Sequence, residues 1–280
     1  MTISMETGRR TFLAGALGAG LAACAPASVE RAAKAPPYAG RLGVQLYTVR
    51  DLFQADFAGT LAALAKIGFK DCETAGYFDH DPRDVRAALD DLGLASRSAH
   101  VRLEELREGF GKQLEYAGIM GQDSLYLGWI PEEERSADKY RALADLLNAR
   151  GEEARVAGRQ LGYHNHDFEF FDLGGTTGYD ILLERADPAL VAMEIDFFWA
   201  AQGGVDPRTL FDRAPGRFHS CHVKDRAADG SMVSVGDGEI DFAAILEEAG
   251  KAGLKTFYVE HDDPADPLAS VAKSFAYLTT

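Results

Sequence analysis

From residue 41 onward the chain repeats one pattern: a short apolar run, a polar turn, an amphipathic stretch, and often a glycine before the next apolar run. The apolar runs cover 42–49, 69–75, 94–101, 124–129, 160–166, 191–197, 218–223 and 256–261, which makes eight. Amphipathic stretches such as 57–67, 84–92, 137–157 and 242–252 lie between them. Gly68, Gly93, Gly121, Gly158, Gly216 and Gly253 stand at the joins, where the residue past a helix end adopts a left-handed conformation that glycine tolerates. Strands alternating with helices pair in parallel through right-handed crossovers. Eight such units predict an α/β chain folded as a (β/α)8 or TIM barrel. The competitor, an open doubly wound sheet, calls for a glycine-rich phosphate loop after the first strand. Here that position reads Tyr47-Thr48-Val49-Arg50-Asp51, with no glycine. No linker interrupts 41–280, so the reading is one catalytic domain.

The first 40 residues follow other rules. Arg9 and Arg10 precede Thr11-Phe12-Leu13 and a small-residue apolar run, the form of a twin-arginine export signal over residues 1–24. That run is too short to span a bilayer. Leu21-Ala22-Ala23-Cys24 has the look of a lipobox, in which Cys24 would carry lipid after cleavage; simple cleavage at a nearby Ala-x-Ala pattern is the alternative. Residues 25–40, rich in alanine and proline, read as a flexible tether. The expectation is an exported, periplasmic protein, free or anchored through Cys24. The net charge of −15, with no basic stripe, argues against nucleic acid as a partner. It leaves a homo-oligomer open. Cys72 and Cys221 fall within apolar runs and read as buried apolar residues rather than a disulfide framework.

Barrels of this kind place their active sites at the C-terminal ends of the strands. The run YHNHDFEF at 163–170 ends the fifth strand and sets His164, His166, Asp167 and Glu169 close together. Alternate strand residues share a face, so His164 and His166 point the same way. The other strand ends carry Gln45 and Tyr47, Glu73, His100, Trp129, Glu194 and Asp196, His222 with Lys224 and Asp225, and Glu260 with His261. Charges at so many strand ends are costly unless paired or bound to a cation. A fifth-strand histidine with Asp196, His222 and Glu260 makes a mixed imidazole and carboxylate set suited to Mn2+, Zn2+, Co2+ or Mg2+. The competing reading is that Asp196 and Glu260 form ion pairs with neighbours such as Lys224.

The motifs GVQLYTVRD, SAHV, YHNHDFEF, EIDFFW, HVKD, VGDGEIDF and VEHDDPADPLAS together resemble the sugar phosphate isomerase/epimerase family. That family has the xylose isomerase-like TIM barrel also seen in endonuclease IV, and the resemblance covers roughly 41–280. Its ketose epimerases hold a divalent metal with Glu, Asp, His and Glu from the fifth to eighth strands. The resemblance implies Asp196, His222 and Glu260 for the last three. The first glutamate has no match, and His164 stands in its place, with His166 the alternative. Epimerases use the two metal-bound glutamates as opposed acid and base, and only Glu260 matches that pair. Where many have a histidine three residues after the sixth-strand aspartate, this chain has Trp199.

The expected chemistry is proton abstraction beside a carbonyl on a non-phosphorylated sugar, with Glu260, His164, His166 and Lys224 as the acid–base groups. Tyr47, Glu73, His100, Trp129, Glu169, Trp199 and Arg226 are expected to contact the carbohydrate. Reprotonation at another position makes the protein an isomerase or epimerase. Loss of a β-substituent makes it a lyase or dehydratase acting on an inosose or a keto-glycoside. A sugar-binding protein without turnover is the third reading.

Overall fold

All eight predicted strands form, most of them shorter than their apolar runs. The barrel strands are β1 Leu42–Gln45, β2 Asp71–Thr74, β3 Ala95–Val101, β4 Ser124–Leu127, β5 Gln160–His164, β6 Val191–Asp196 and β7 Phe218–Val223. A two-stranded hairpin follows, β8 Asp225–Arg226 and β9 Met232–Val233, and β10 Thr256–Val259 is the eighth barrel strand. The strands close in the order β1-β10-β7-β6-β5-β4-β3-β2, each paired in parallel with its neighbours. The computed structural model describes residues 1–2, 36–38 and 40–280. The predicted export signal, its Cys24 and most of the tether lie outside the described residues.

Helices pack around the barrel, and short-range signals fix their starts. Asp81, Asp206 and Asp266 each accept a hydrogen bond from a backbone N–H of the helix that follows, and each precedes a proline at the first helical position. At Asp81 that pairing starts the helix predicted at 84–92 two residues early, at Pro82–Leu92. Helix Phe57–Ile67 matches its prediction, and 137–157 becomes Ala137–Val156. The stretch 242–252 is two helices, Phe242–Glu247 and Ala249–Ala252, because Glu248 leaves helical geometry at ψ 4°.

One face of each strand is apolar and meets the helices. Val44, Leu125, Leu161 and Ile195 are fully buried with the helix residues Leu61, Val85 and Leu147 in one core. Cys72 and Cys221 are buried and free. The opposite faces point into the barrel, where Tyr126 and Tyr258 are buried. Room for Tyr126 comes from Gly162 on the neighbouring strand, where a Cβ would lie 2.4 Å from the ring. The pairing slips twice, between Cys72 and Glu73 in β2 and between Met193 and Glu194 in β6. Irregularities of this kind re-aim side chains beside active sites, and in both strands a glutamate comes next.

Candidate active site

Four barrel strands place acids and imidazoles at one mouth. Asp196, the last residue of β6, is also the N-cap of helix Phe197–Gln202. Its Oδ1 accepts from the Trp199 backbone N–H at 2.9 Å, and its own N–H donates to Asn165 Oδ1 at 3.1 Å. One oxygen is thereby held and Oδ2 is left free. Glu260 follows β10 and brings Oε2 to 2.6 Å from His222 Nδ1. Donor atoms of Asp196, His222 and Glu260 all lie within 4.8 Å of one another. His164 joins from the fifth strand, with Nε2 3.9 Å from Asp196 Oδ2.

The far sides of both histidines are anchored. His222 Nε2 lies 2.6 Å from Glu73 Oε2, and His164 Nδ1 lies 3.2 Å from Glu194 Oε2. Each carboxylate accepts the ring N–H and turns the other ring nitrogen, His222 Nδ1 and His164 Nε2, toward Asp196. This is the arrangement by which outer carboxylates orient metal-binding histidines. Glu73 is itself fixed by Gln45 Nε2 at 2.7 Å and by the Ser98 hydroxyl. His100 Nε2 donates to Glu194 Oε2 at 2.7 Å. A Cβ at Gly128 would meet the His100 ring at 2.5 Å, so the loop after β4 needs glycine there.

Three buried atoms at the centre have no properly directed hydrogen bond: Asp196 Oδ2, Glu260 Oε2 and His222 Nδ1. Buried polar atoms are rarely left so. Two hard oxygens and an imidazole nitrogen facing one another fit a divalent cation. Lys224 is the competing cation. Its Nζ is 3.0 Å from Asp196 Oδ2 and 2.8 Å from Glu260 Oε2, and it donates to Asp262 Oδ1 at 2.7 Å. Both readings from the sequence thus meet at one place.

The local field separates the imidazoles. Burial and the nearby His222 push His164 down to about 3, and burial with His164 pushes His166 down as well, so both are neutral. His222 goes the other way: burial opposes its charge, but Glu194, Glu260 and Glu73 outweigh it. Burial works to raise Glu260, yet Lys224 and His222 hold it well below the usual carboxylate range. For Lys224 the three carboxylates overcome burial and raise it. Asp196 is raised by burial to about 6 despite Lys224.

A cavity of about 910 Å3 opens above this cluster. Of the residues singled out in the sequence, His100, His164, His166, Lys224, Glu260, Tyr47 and Trp129 line it. Four residues expected to touch carbohydrate do not line it. Glu73 is fully buried behind His222. Glu169 is fully buried, accepting from Tyr163 OH and the His166 backbone N–H. Trp199 packs against the far side of His166, with ring centroids 5.2 Å apart. Arg226 turns away on the hairpin to Gln202 and Glu239. Asp225, beside Lys224, is structural: it accepts the backbone N–H groups of Gly236 and Gly238 and ties down the VGDGEIDF loop. Sequence reasoning gave no role to Glu194. The signal was available, since Glu194 is two residues before Asp196 on one strand and shares its face. Arg135 carried no such signal. It stacks 3.5 Å over Phe168, which in turn stacks on His166.

Comparison with known proteins adds an independent line. The family model described as xylose isomerase-like TIM barrel matches residues 45–280. An inosose dehydratase of Lacticaseibacillus casei is 25% identical over 271 residues, which cover 80% of this chain and 89% of that protein. An inosose dehydratase of Geobacillus kaustophilus is 27% identical over 227 residues, covering 66% and 73%. The solved structure of a sugar phosphate isomerase/epimerase from Parabacteroides distasonis superposes with a TM-score of 0.75 at 26% identity, covering 88% of this chain and 94% of its own.

Proposed function

Because the chain belongs to the xylose isomerase-like TIM barrel family, we propose that it is a divalent-metal-dependent lyase that removes a β-substituent from a cyclic keto-polyol. The observation that carries this reading is the 2.8 Å separation of Glu260 Oε2 and Lys224 Nζ. A carboxylate and an ammonium side by side on one wall suit the loss of a proton and a leaving group from one face of a ring. Inversion of a centre needs groups on opposite walls.

His164, Asp196, His222 and Glu260 would hold the cation, whose contribution when bound is to polarise the substrate carbonyl. Glu260, kept ionised by Lys224 and His222, takes the proton from the carbon beside the carbonyl. The C–H electrons form the new double bond as the β C–O bond breaks. Lys224, kept protonated by its three carboxylates, gives its proton to the departing oxygen. For a hydroxyl leaving group the products are an unsaturated ketone and water. Glu260 then returns its proton to Lys224 across their contact. The inosose dehydratases among the relatives are named for a dehydration of this kind.

One observation favours a second reading. His166 lines the same cavity from the fifth-strand loop, and its buried Nδ1 has no partner. A neutral imidazole there can take a proton from one ring carbon and, as the imidazolium so formed, return it to a neighbouring one, as an isomerase or epimerase requires. Incubation with cyclic keto-polyols in D2O, after loading with Mn2+ or Co2+, separates the two. The lyase reading expects enone absorbance and loss of the substituent. Deuterium in an otherwise intact substrate overturns it in favour of the isomerase.

A further inference from the structure

The motif YHNHDFEF holds one acid that the chemistry above leaves unused. Glu169 is fully buried on the short turn Phe168–Phe170. Its two oxygens reach back across His164. Oε1 accepts from Tyr163 OH at 2.7 Å, and Oε2 accepts from the His166 backbone N–H at 2.8 Å. Tyr163 belongs to β5 and His166 lies beyond its end, so one side chain ties the strand to the loop that leaves it. This is a costly place for an acid. Burial pushes the Glu169 carboxyl up to about 8, although Tyr163, the His166 N–H and Arg135 draw it down. An apolar side chain would avoid that cost, and a turn alone does not require a carboxyl. Perturbed acids of this kind gather at functional sites.

The residue that Glu169 holds is braced at its ring as well. Phe168 stacks on the His166 imidazole, with centroids 5.4 Å apart and planes 10° apart. The Arg135 guanidinium lies 3.5 Å from the Phe168 ring and donates twice to Ile130 O. Trp199 packs against the same imidazole at 5.2 Å, and its backbone N–H is bound by Asp196 Oδ1. His166 lines the cavity, and burial with His164 keeps it neutral. A neutral imidazole in that wall can hold a ring hydroxyl in the lyase reading, or move the proton in the isomerase reading.

We propose that Glu169 is a positioning residue: its carboxyl group fixes the backbone of His166 and so sets where the imidazole enters the cavity wall. The inference rests on the cavity being the reaction site and holds for the lyase and the isomerase alike. Turnover of a cyclic keto-polyol by Mn2+-loaded protein, followed as enone absorbance and as deuterium uptake, tests it. Glu169→Ala is expected to lower kcat about 100-fold, the cost of misplacing a reacting group by roughly an ångström. His166→Ala is expected to lose at least as much, and the double variant no more than His166→Ala alone. Glu169→Gln keeps an oxygen for the His166 N–H and is expected to stay within about threefold of the parent. Should Glu169→Ala not fold, Glu169→Asp, whose carboxyl is drawn back by one methylene, takes its place in the cycle. Losses that multiply in the double variant, or a Glu169→Gln as poor as Glu169→Ala, overturn the proposal. A second readout needs no turnover. The chain has two tryptophans, so in a Trp129→Phe background the emission is that of Trp199, which packs against His166. Glu169→Ala is expected to shift that emission and Glu169→Gln to leave it in place; an emission that Glu169→Ala does not move overturns the proposal. A protein that shows the shift without any turnover sinks the lyase and isomerase readings and leaves the positioning of His166 standing.

Discussion

Glu194 shows what a single residue does from the outside of a site. It holds His164 Nδ1 and so leaves Nε2 as the free nitrogen. Glu194→Gln is expected to weaken divalent metal binding by roughly 10–100-fold, the usual cost of losing an outer carboxylate. Competition against a fluorescent chelator measures it, and an unchanged affinity would place the metal away from His164. Asp71 makes a different prediction at the opposite end of the barrel. Burial raises its carboxyl from 3.8 to about 7, against the pull of Arg97 and two backbone N–H groups. The folded state therefore binds a proton more tightly than the unfolded chain. Stability from this group is full below about pH 4 and is lost as pH rises to 7, by at most about 1.4 kcal/mol per unit. Asp71→Asn keeps the acceptor for the Cys72 and Arg97 N–H groups and should flatten that slope in urea titrations at pH 4 to 7. Individual residues were legible in the sequence where strand alternation fixed their direction. Asp196, His222 and Glu260 each end an apolar run, and the fold brings them together. Glu73 and Glu169 were named at the right strands but at the wrong depth, because depth depends on which neighbours cover a side chain.

Strands and helices were the most legible level, because period, caps and glycines are local. The strand ends were not. The apolar runs at 42–49, 160–166 and 191–197 continue past their strands into a 3-10 turn, a loop and a helix, so polarity alone overran each boundary. The two register slips were equally invisible, since an irregularity in pairing involves two strands and leaves no mark on one. Gly162 is the element-scale test. In sequence it is one glycine in a strand; in the barrel it is the space that Tyr126 occupies. Gly162→Ala would set a methyl group 2.4 Å from a buried ring and 2.9 Å from the Ala192 carbonyl oxygen. The expected cost is about 1–3 kcal/mol or more, read as a lowered Tm. Little change would mean that Tyr126 can leave the barrel interior.

For the molecule as a whole, the barrel and its mouth were legible because eight repeats admit few closed arrangements, and a mouth collects whatever the strand ends carry. The size of the cavity was not, because it depends on loop conformations such as the positive φ at Phe78, one of its lining residues. Prolonged dialysis against EDTA is expected to abolish turnover and lower Tm, while the chain still melts in one cooperative step with unchanged far-UV circular dichroism. Loss of secondary structure on chelation would show that the cation is part of the fold. The expectation rests on Lys224, whose ammonium reaches Asp196, Glu260 and Asp262 within 3.0 Å. That contact governs the order of assembly. A barrel with its own positive charge at the centre can mature before any metal arrives. A divalent ion would then be a late arrival to a finished receptacle, and the metals that the folded barrel meets, rather than those present while it folds, would decide which ion it takes.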